Sequence, residues 1–158
     1  MEIKKGLSEK NIGQLIDYAN NDEEVKRFTS DAGRFKNRES YDEWLKKGRA
    51  IYALVDEEDN LLGITWFGKE GEGGFTLAIR TYERARHKGF SYNFLKETMN
   101  DFMKGDEYQG AENKEWWLET SKDNSAATIL YEKLGFRIDG EGKSFEKVIY
   151  RRRPGFVS

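Results

Sequence analysis

A chain of 158 residues with 27 Lys+Arg, 29 Asp+Glu and a net charge of −2 has the size of one ordinary domain and lacks the positive field of a nucleic-acid binder. Apolar residues make up only 37 %, but 4 Trp, 8 Tyr and 10 Phe supply enough bulk for a core, so a disordered chain is not expected. Zero Cys excludes disulfides, thiolate zinc sites and a cysteine nucleophile, and a single His excludes His-rich sites, so no metal is expected.

No apolar run approaches the ~18 residues that span a bilayer. Met1-Glu2-Ile3-Lys4-Lys5 lacks the apolar core of a signal peptide. The expectation is a cytoplasmic domain, monomeric or homodimeric, with no membrane or nucleic-acid partner. Ser8 opens a first helix with Ile12, Leu15, Ile16 and Ala19 on one stripe and Leu7 placed to staple against Ile12. A shorter helical piece follows at Val25–Phe28, with Asp22, Glu23 and Glu24 in its first turn. Ser40 with Glu43 reads as a capping box, opening a helix that turns Tyr41, Trp44 and Leu45 inward. Ala50–Val55 and Leu61–Phe67 are β-rich runs joined by the acidic turn Glu57-Glu58-Asp59-Asn60, a hairpin. The turn Gly68–Gly74 leads into a third strand, Phe75–Ile79.

A long helix carries Leu95, Thr98, Met99 and Phe102 on one stripe and stops at Gly105, before a polar loop to Lys114. Glu115–Thr120 reads as a strand whose Trp116 and Trp117 point to opposite faces, both covered. A helix with Ala127, Leu130, Tyr131 and Leu134 on one face is closed by Gly135, and Phe136–Asp139 and Phe145–Tyr150 finish as strands. The order is β-α-α-β-β-β-α-β-α-β-β, an α+β layout.

Arg80 to Ser91, between a strand and a helix, holds Arg80, Arg84, Arg86 and Lys88 against the one acid Glu83. Such a loop aims backbone N–H groups at one point, and the helix dipole adds positive charge there. Gly89 permits close approach of the backbone, and small Ser91 keeps the first helical turn open, which suits a phosphate or diphosphate. A solvated basic loop is the other reading. The second segment runs from Trp117-Leu118-Glu119-Thr120 through Asn124 to Tyr131-Glu132-Lys133-Leu134-Gly135-Phe136.

Together the two segments resemble the GNAT superfamily of acetyl-CoA-dependent N-acetyltransferases. Arg86, Gly89 and Ser91 occupy the fixed positions of its loop pattern Arg/Gln-x-x-Gly-x-Gly/Ala, with Ser91 in place of the usual Gly or Ala. Asn124, Tyr131, Lys133, Gly135 and Phe136 reproduce its second pattern. The resemblance implies a GNAT (acyl-CoA N-acyltransferase) fold over 1–151 with a tail at 152–158, built on a mixed sheet of roughly six to seven strands flanked by about four helices. It implies acetyl-CoA as donor, lying where the parallel strands Phe75–Ile79 and Glu115–Thr120 splay, with the backbone near Ile79 on the pantetheine arm. Arg84, Arg86, His87, Lys88, Gly89, Phe90 and Ser91 would bind the diphosphate, Asn124 would meet the arm from the other side, and Tyr131 would be the general acid. His87 belongs to this loop more than to proton transfer.

Glu119 is the candidate base, since burial beside Trp117 and Leu118 would strengthen a carboxylate as a proton acceptor. It precedes Tyr131 by twelve residues, a spacing similar to that of the ribosomal-protein N-terminal acetyltransferase branch. A strand-end surface charge, or a partner of a nearby Lys, is the alternative for Glu119, and core packing that for Tyr131. The implied reaction is direct transfer of acetyl to a primary amine of a peptide or small molecule. A non-catalytic CoA-binding module remains open, and so does a nucleic-acid binder using the aromatics and Arg151-Arg152-Arg153, although the net charge of −2 disfavours that.

Overall fold

The computed structural model describes residues 1–69, 74–108, 115–142 and 147–153. Most of the glycine-rich turn, the end of the polar loop, the first two residues of the last predicted strand and the tail from Pro154 lie outside the described residues. The elements are β1 (Glu2–Lys5), α1 (Glu9–Asn21), α2 (Glu23–Phe28), α3 (Asp31–Arg34), α4 (Arg38–Leu45), β2 (Ala50–Val55), β3 (Leu61–Lys69), β4 (Phe75–Thr81), α5 (Phe90–Met103), β5 (Trp116–Ser121), α6 (Ser125–Lys133), β6 (Arg137–Glu141) and β7 (Lys147–Arg152). The sheet has the order β1-β2-β3-β4-β5-β7-β6. It is mixed, with β4 parallel to β5 and antiparallel ladders elsewhere at β1–β2, β5–β7 and β6–β7. Among the described residues no helix is long and apolar enough to cross a membrane. The chain gathers into two compact units, Met1–Trp66 with Ile79–Phe90, and Phe67–Ala78 with Ser91–Ser158.

In the first unit Ser8 caps α1 as expected, and Asn11 rather than an acid closes the box, each side chain bonding the other's backbone N–H at 3.1 Å. Asp22 caps α2 by accepting from the Glu24 and Val25 amides. The cap of α4 corrects the sequence reading. Asn37, not Ser40, is the N-cap: its Oδ1 accepts from the Ser40 amide at 2.9 Å, so the helix begins three residues earlier. Leu45 is accordingly the last helical residue and 43 % exposed, while Tyr41 and Trp44 carry the buried stripe. The hairpin turn is organised by Asp56, whose Oδ1 accepts from the amides of Glu58 and Asn60 at 2.9 Å. Those bonds, those to the Asn60 backbone first, hold its carboxyl down to about 2. The core centres on Leu15, Phe35, Ala53 and Ile64, with Phe35, Trp44 and Trp66 meeting edge to face.

In the second unit Phe67, Phe75, Phe102, Tyr108 and Trp116 form one aromatic cluster. Trp116 is buried and Trp117 half-buried, so β5 is covered more fully on one face than on the other. β5 pairs with β7 over its whole length, Trp116↔Arg152 to Ser121↔Lys147. That ladder draws Arg151 and Arg152 into the sheet and moves the last strand two residues beyond its predicted end at Tyr150.

Gly74 explains where β4 starts. At φ +134 it lets the Glu115 carbonyl accept from the Phe75 amide at 2.9 Å, and a Cβ there would stand 2.1 Å from that carbonyl oxygen. Gly74→Ala is expected to destabilise the protein by about 2 kcal/mol or more, read as a lower urea midpoint. An unchanged midpoint would mean that the Glu115 carbonyl moves aside at no cost.

Candidate active site

The link from β4 to α5 is a run of turns over 83–89. Buried Tyr82 and Ala85 anchor it, the Tyr82 amide donating to Leu62 O at 3.0 Å and the Ala85 amide to Tyr82 O at 2.9 Å. Arg84, His87, Lys88 and Gly89 are exposed, and Ile79, Phe90 and Ser91 are half-buried. His87 and Gly89 both take left-handed backbone, at φ +61 and +81. Among the described residues, its chain neighbours aside, no heavy atom lies within 4 Å of where a Gly89 Cβ would stand. Lys88 Nζ donates to Arg84 O at 2.8 Å, and Arg84 lies 3.1 Å from Asp56.

Arg86 sits differently from the sequence expectation. Its guanidinium is 16 % exposed and bonded inward: Nη2 to Asp22 at 2.8 Å, Nε to Glu24 at 2.7 Å and to Thr81 O at 3.2 Å. His87 Nε2 lies 3.6 Å from the same Glu24. The acids read as the first turn of a helix therefore do two things, capping α2 and gripping the basic loop. Their partner is 64 residues away for Asp22, so no local pattern announces it.

A second ion cluster of this unit went unread in the sequence. Asp31, whose side chain is 1 % exposed, accepts from Arg80 Nε at 2.7 Å, Arg80 Nη2 at 3.0 Å and Arg34 Nη1 at 2.6 Å. Both guanidiniums lie over Trp66, at 5.5 Å for Arg34 and 5.0 Å for Arg80. Arg80 also donates from Nη1 to Ile79 O at 2.9 Å.

In the second unit β5 carries Glu119, half-buried and in register with Ile149 of β7. Asn124 is the N-cap of α6, its Oδ1 accepting from the Ala127 amide at 3.3 Å. Tyr131 is buried on α6, its ring 6.0 Å from Phe136 and 6.2 Å from Tyr150. Gly135, at φ +93, turns the chain so that the Phe136 amide reaches Tyr131 O at 3.0 Å. The parallel ladder of β4 with β5 holds two residue pairs, Phe75↔Trp116 and Thr76↔Trp117. Among the described residues no three His, Asp or Glu side chains gather as a metal site.

A family model described as the acetyltransferase (GNAT) domain matches residues 6–137. The chain belongs to this family. Its chemistry is accordingly acetyl transfer, and the α+β fold that the two motifs imply is the one observed. Solved GNAT structures share it. An acetyltransferase of the GNAT family from Streptococcus pneumoniae is 20 % identical with a TM-score of 0.71, over 98 % of this chain and 100 % of that one. Ribosomal-protein-S5-alanine acetyltransferase from Vibrio fischeri is 14 % identical with a TM-score of 0.70, over 100 % and 96 %. Spermidine N-acetyltransferase from Vibrio cholerae, solved with CoA and spermine, is 16 % identical with a TM-score of 0.71, over 95 % and 92 %. No curated protein matches the sequence significantly.

Proposed function

We propose that the protein moves an acetyl group from acetyl-CoA to a primary amine by direct attack. The observation that carries this reading is the short ladder between β4 and β5: parallel neighbours that, among the described residues, pair at Phe75↔Trp116 and Thr76↔Trp117, against six pairs between β5 and β7. Backbone groups of β4 past Thr76 then suit the pantetheine arm, and an N–H near Ile79 suits the thioester oxygen, where negative charge develops. The loop fits a diphosphate, with Gly89 open to approach, Lys88 and Arg84 exposed, and the N-terminus of α5 beyond. Arg86, gripped by Asp22 and Glu24, shapes that loop. Asn124 orients α6 and meets the donor arm.

Glu119 takes a proton from the ammonium of the acceptor, and the free amine attacks the thioester carbonyl. The C–S bond breaks as Tyr131 protonates the departing thiolate, and the second proton of the attacking nitrogen passes back to Tyr131, leaving the neutral amide and the thiol. A tyrosine hydroxyl, with an ordinary pKa of ~10, is a weaker acid than a thiol near ~8.5, so its donation is coupled to C–S cleavage and to uptake of the proton that the nitrogen releases. Relatives of the same fold named for a ribosomal-protein alanine and for spermidine support a primary amine as acceptor. Calorimetry with acetyl-CoA, followed by thiol release over a panel of amines, tests the reading. Heat and turnover are expected. Heat without turnover on any amine would make the protein a CoA-binding module, and no heat would overturn the donor.

Glu119→Gln is expected to flatten the acid limb of the pH–rate profile, because the limb reports protonation of the base. An identical profile would remove Glu119 from the mechanism.

A further inference from the structure

We propose that Arg34 and Arg80 form a carboxylate-binding subsite for the acceptor, so that the amine acetylated carries a carboxylate close to its amino group. The inference rests on the acetyl-transfer reading for its position, since Arg80 follows Ile79 and donates to its carbonyl at 2.9 Å. It rests on the ion cluster for its chemistry. The single charge of Asp31 is divided between two guanidiniums, Arg80 taking both carboxylate oxygens and Arg34 sharing Oδ1. Among the described residues Arg34 donates through Nη1 alone, which leaves the other edge of its fork for a second acceptor. Its side chain is 31 % exposed, against 15 % for Arg80 and 1 % for Asp31, so Arg34 is the member that a solute can reach.

The guanidiniums rest over the Trp66 ring, and Phe35 lies 6.0 Å from that of Arg34. An aromatic floor strips water from one face of the fork and strengthens an ion pair made at its edge. A planar, cationic fork that meets Asp31 through one nitrogen alone matches a second carboxylate in shape and in charge. Asp31 acts as the positioning residue, holding both cations against each other's repulsion.

The test compares α-amino acids with their carboxamides as acceptors, by thiol release, in the full chain and in Arg34→Gln and Arg34→Lys. Acetyl-CoA calorimetry on each protein reports folding and the donor site separately. The acids are expected to exceed the amides by about tenfold or more in kcat/KM, as a charged hydrogen-bond partner is worth. That ratio should fall towards one in Arg34→Gln through KM, with Arg34→Lys, which keeps the charge and loses the fork, in between. Amides used as well as acids, or a preference that survives Arg34→Gln, would overturn the subsite. Binding without the donor separates the two readings: millimolar amino acid should raise the unfolding temperature where its carboxamide does not. Absence of that difference sinks the subsite, whereas its presence without any acetyl-CoA heat sinks only acetyl transfer.

Discussion

Tyr131→Phe is expected to lower turnover by about 10²-fold or more while acetyl-CoA affinity hardly moves. The substitution removes one hydroxyl and keeps the ring, so the contacts with Phe136 and Tyr150 at 6.0 and 6.2 Å persist and the fold of α6 is preserved. What is lost is the proton for the leaving thiolate. The deficit belongs in kcat, because the hydroxyl acts as the C–S bond breaks rather than when the donor binds. Steady-state kinetics with the best amine of the panel, beside calorimetry with acetyl-CoA, reads both quantities. Unaltered turnover would leave Tyr131 as a packing residue of the stripe with Leu130 and Leu134, all three of which are buried.

Features set by neighbours in sequence were legible; those set by partners far along the chain were not. Ser8, Asp22 and Asn124 sit at helix starts because a short polar side chain can reach an amide two or three residues on. The same rule misplaced the start of α4, where Asn37 and Ser40 both qualify and only packing chooses between them. α3 has four residues, too few to show a period. β7 carries Arg151 and Arg152 into a strand that alternation alone ends at Tyr150, since the ladder with β5 supplies what propensity does not. Asn124, Tyr131 and Gly135 lie within one helix and its ends, and their spacing survives in one dimension. The inward turn of Arg86 does not, because it depends on Asp22 and Glu24. Nor does the union of Asp31 with Arg80, which are 49 residues apart.

Asp31→Ala is expected to cost about 3–5 kcal/mol of stability, since removing one member of a buried ion pair leaves charge without compensation. Arg80, 15 % exposed and stacked on Trp66, has little freedom to turn towards water, while Arg34 at 31 % has more. The urea midpoint measures the loss, and an unchanged midpoint would show that both guanidiniums find other partners. A double variant, Asp31→Leu with Arg80→Met, is expected to recover part of it, because the desolvation of both charges disappears together with their attraction while Arg34, 31 % exposed, turns to water. The contribution also depends on pH. Burial pushes the Asp31 pKa up, but Arg80 and Arg34 together outweigh it and hold the carboxyl below its ordinary value. With the folded value below the unfolded one of ~3.9, the stabilisation is complete above that pH and is lost as acid carries the group through its folded value. Stability of the wild type should therefore fall more steeply than that of Asp31→Ala below about pH 4. Parallel acid profiles would place the carboxylate outside the balance that holds α3 to β4.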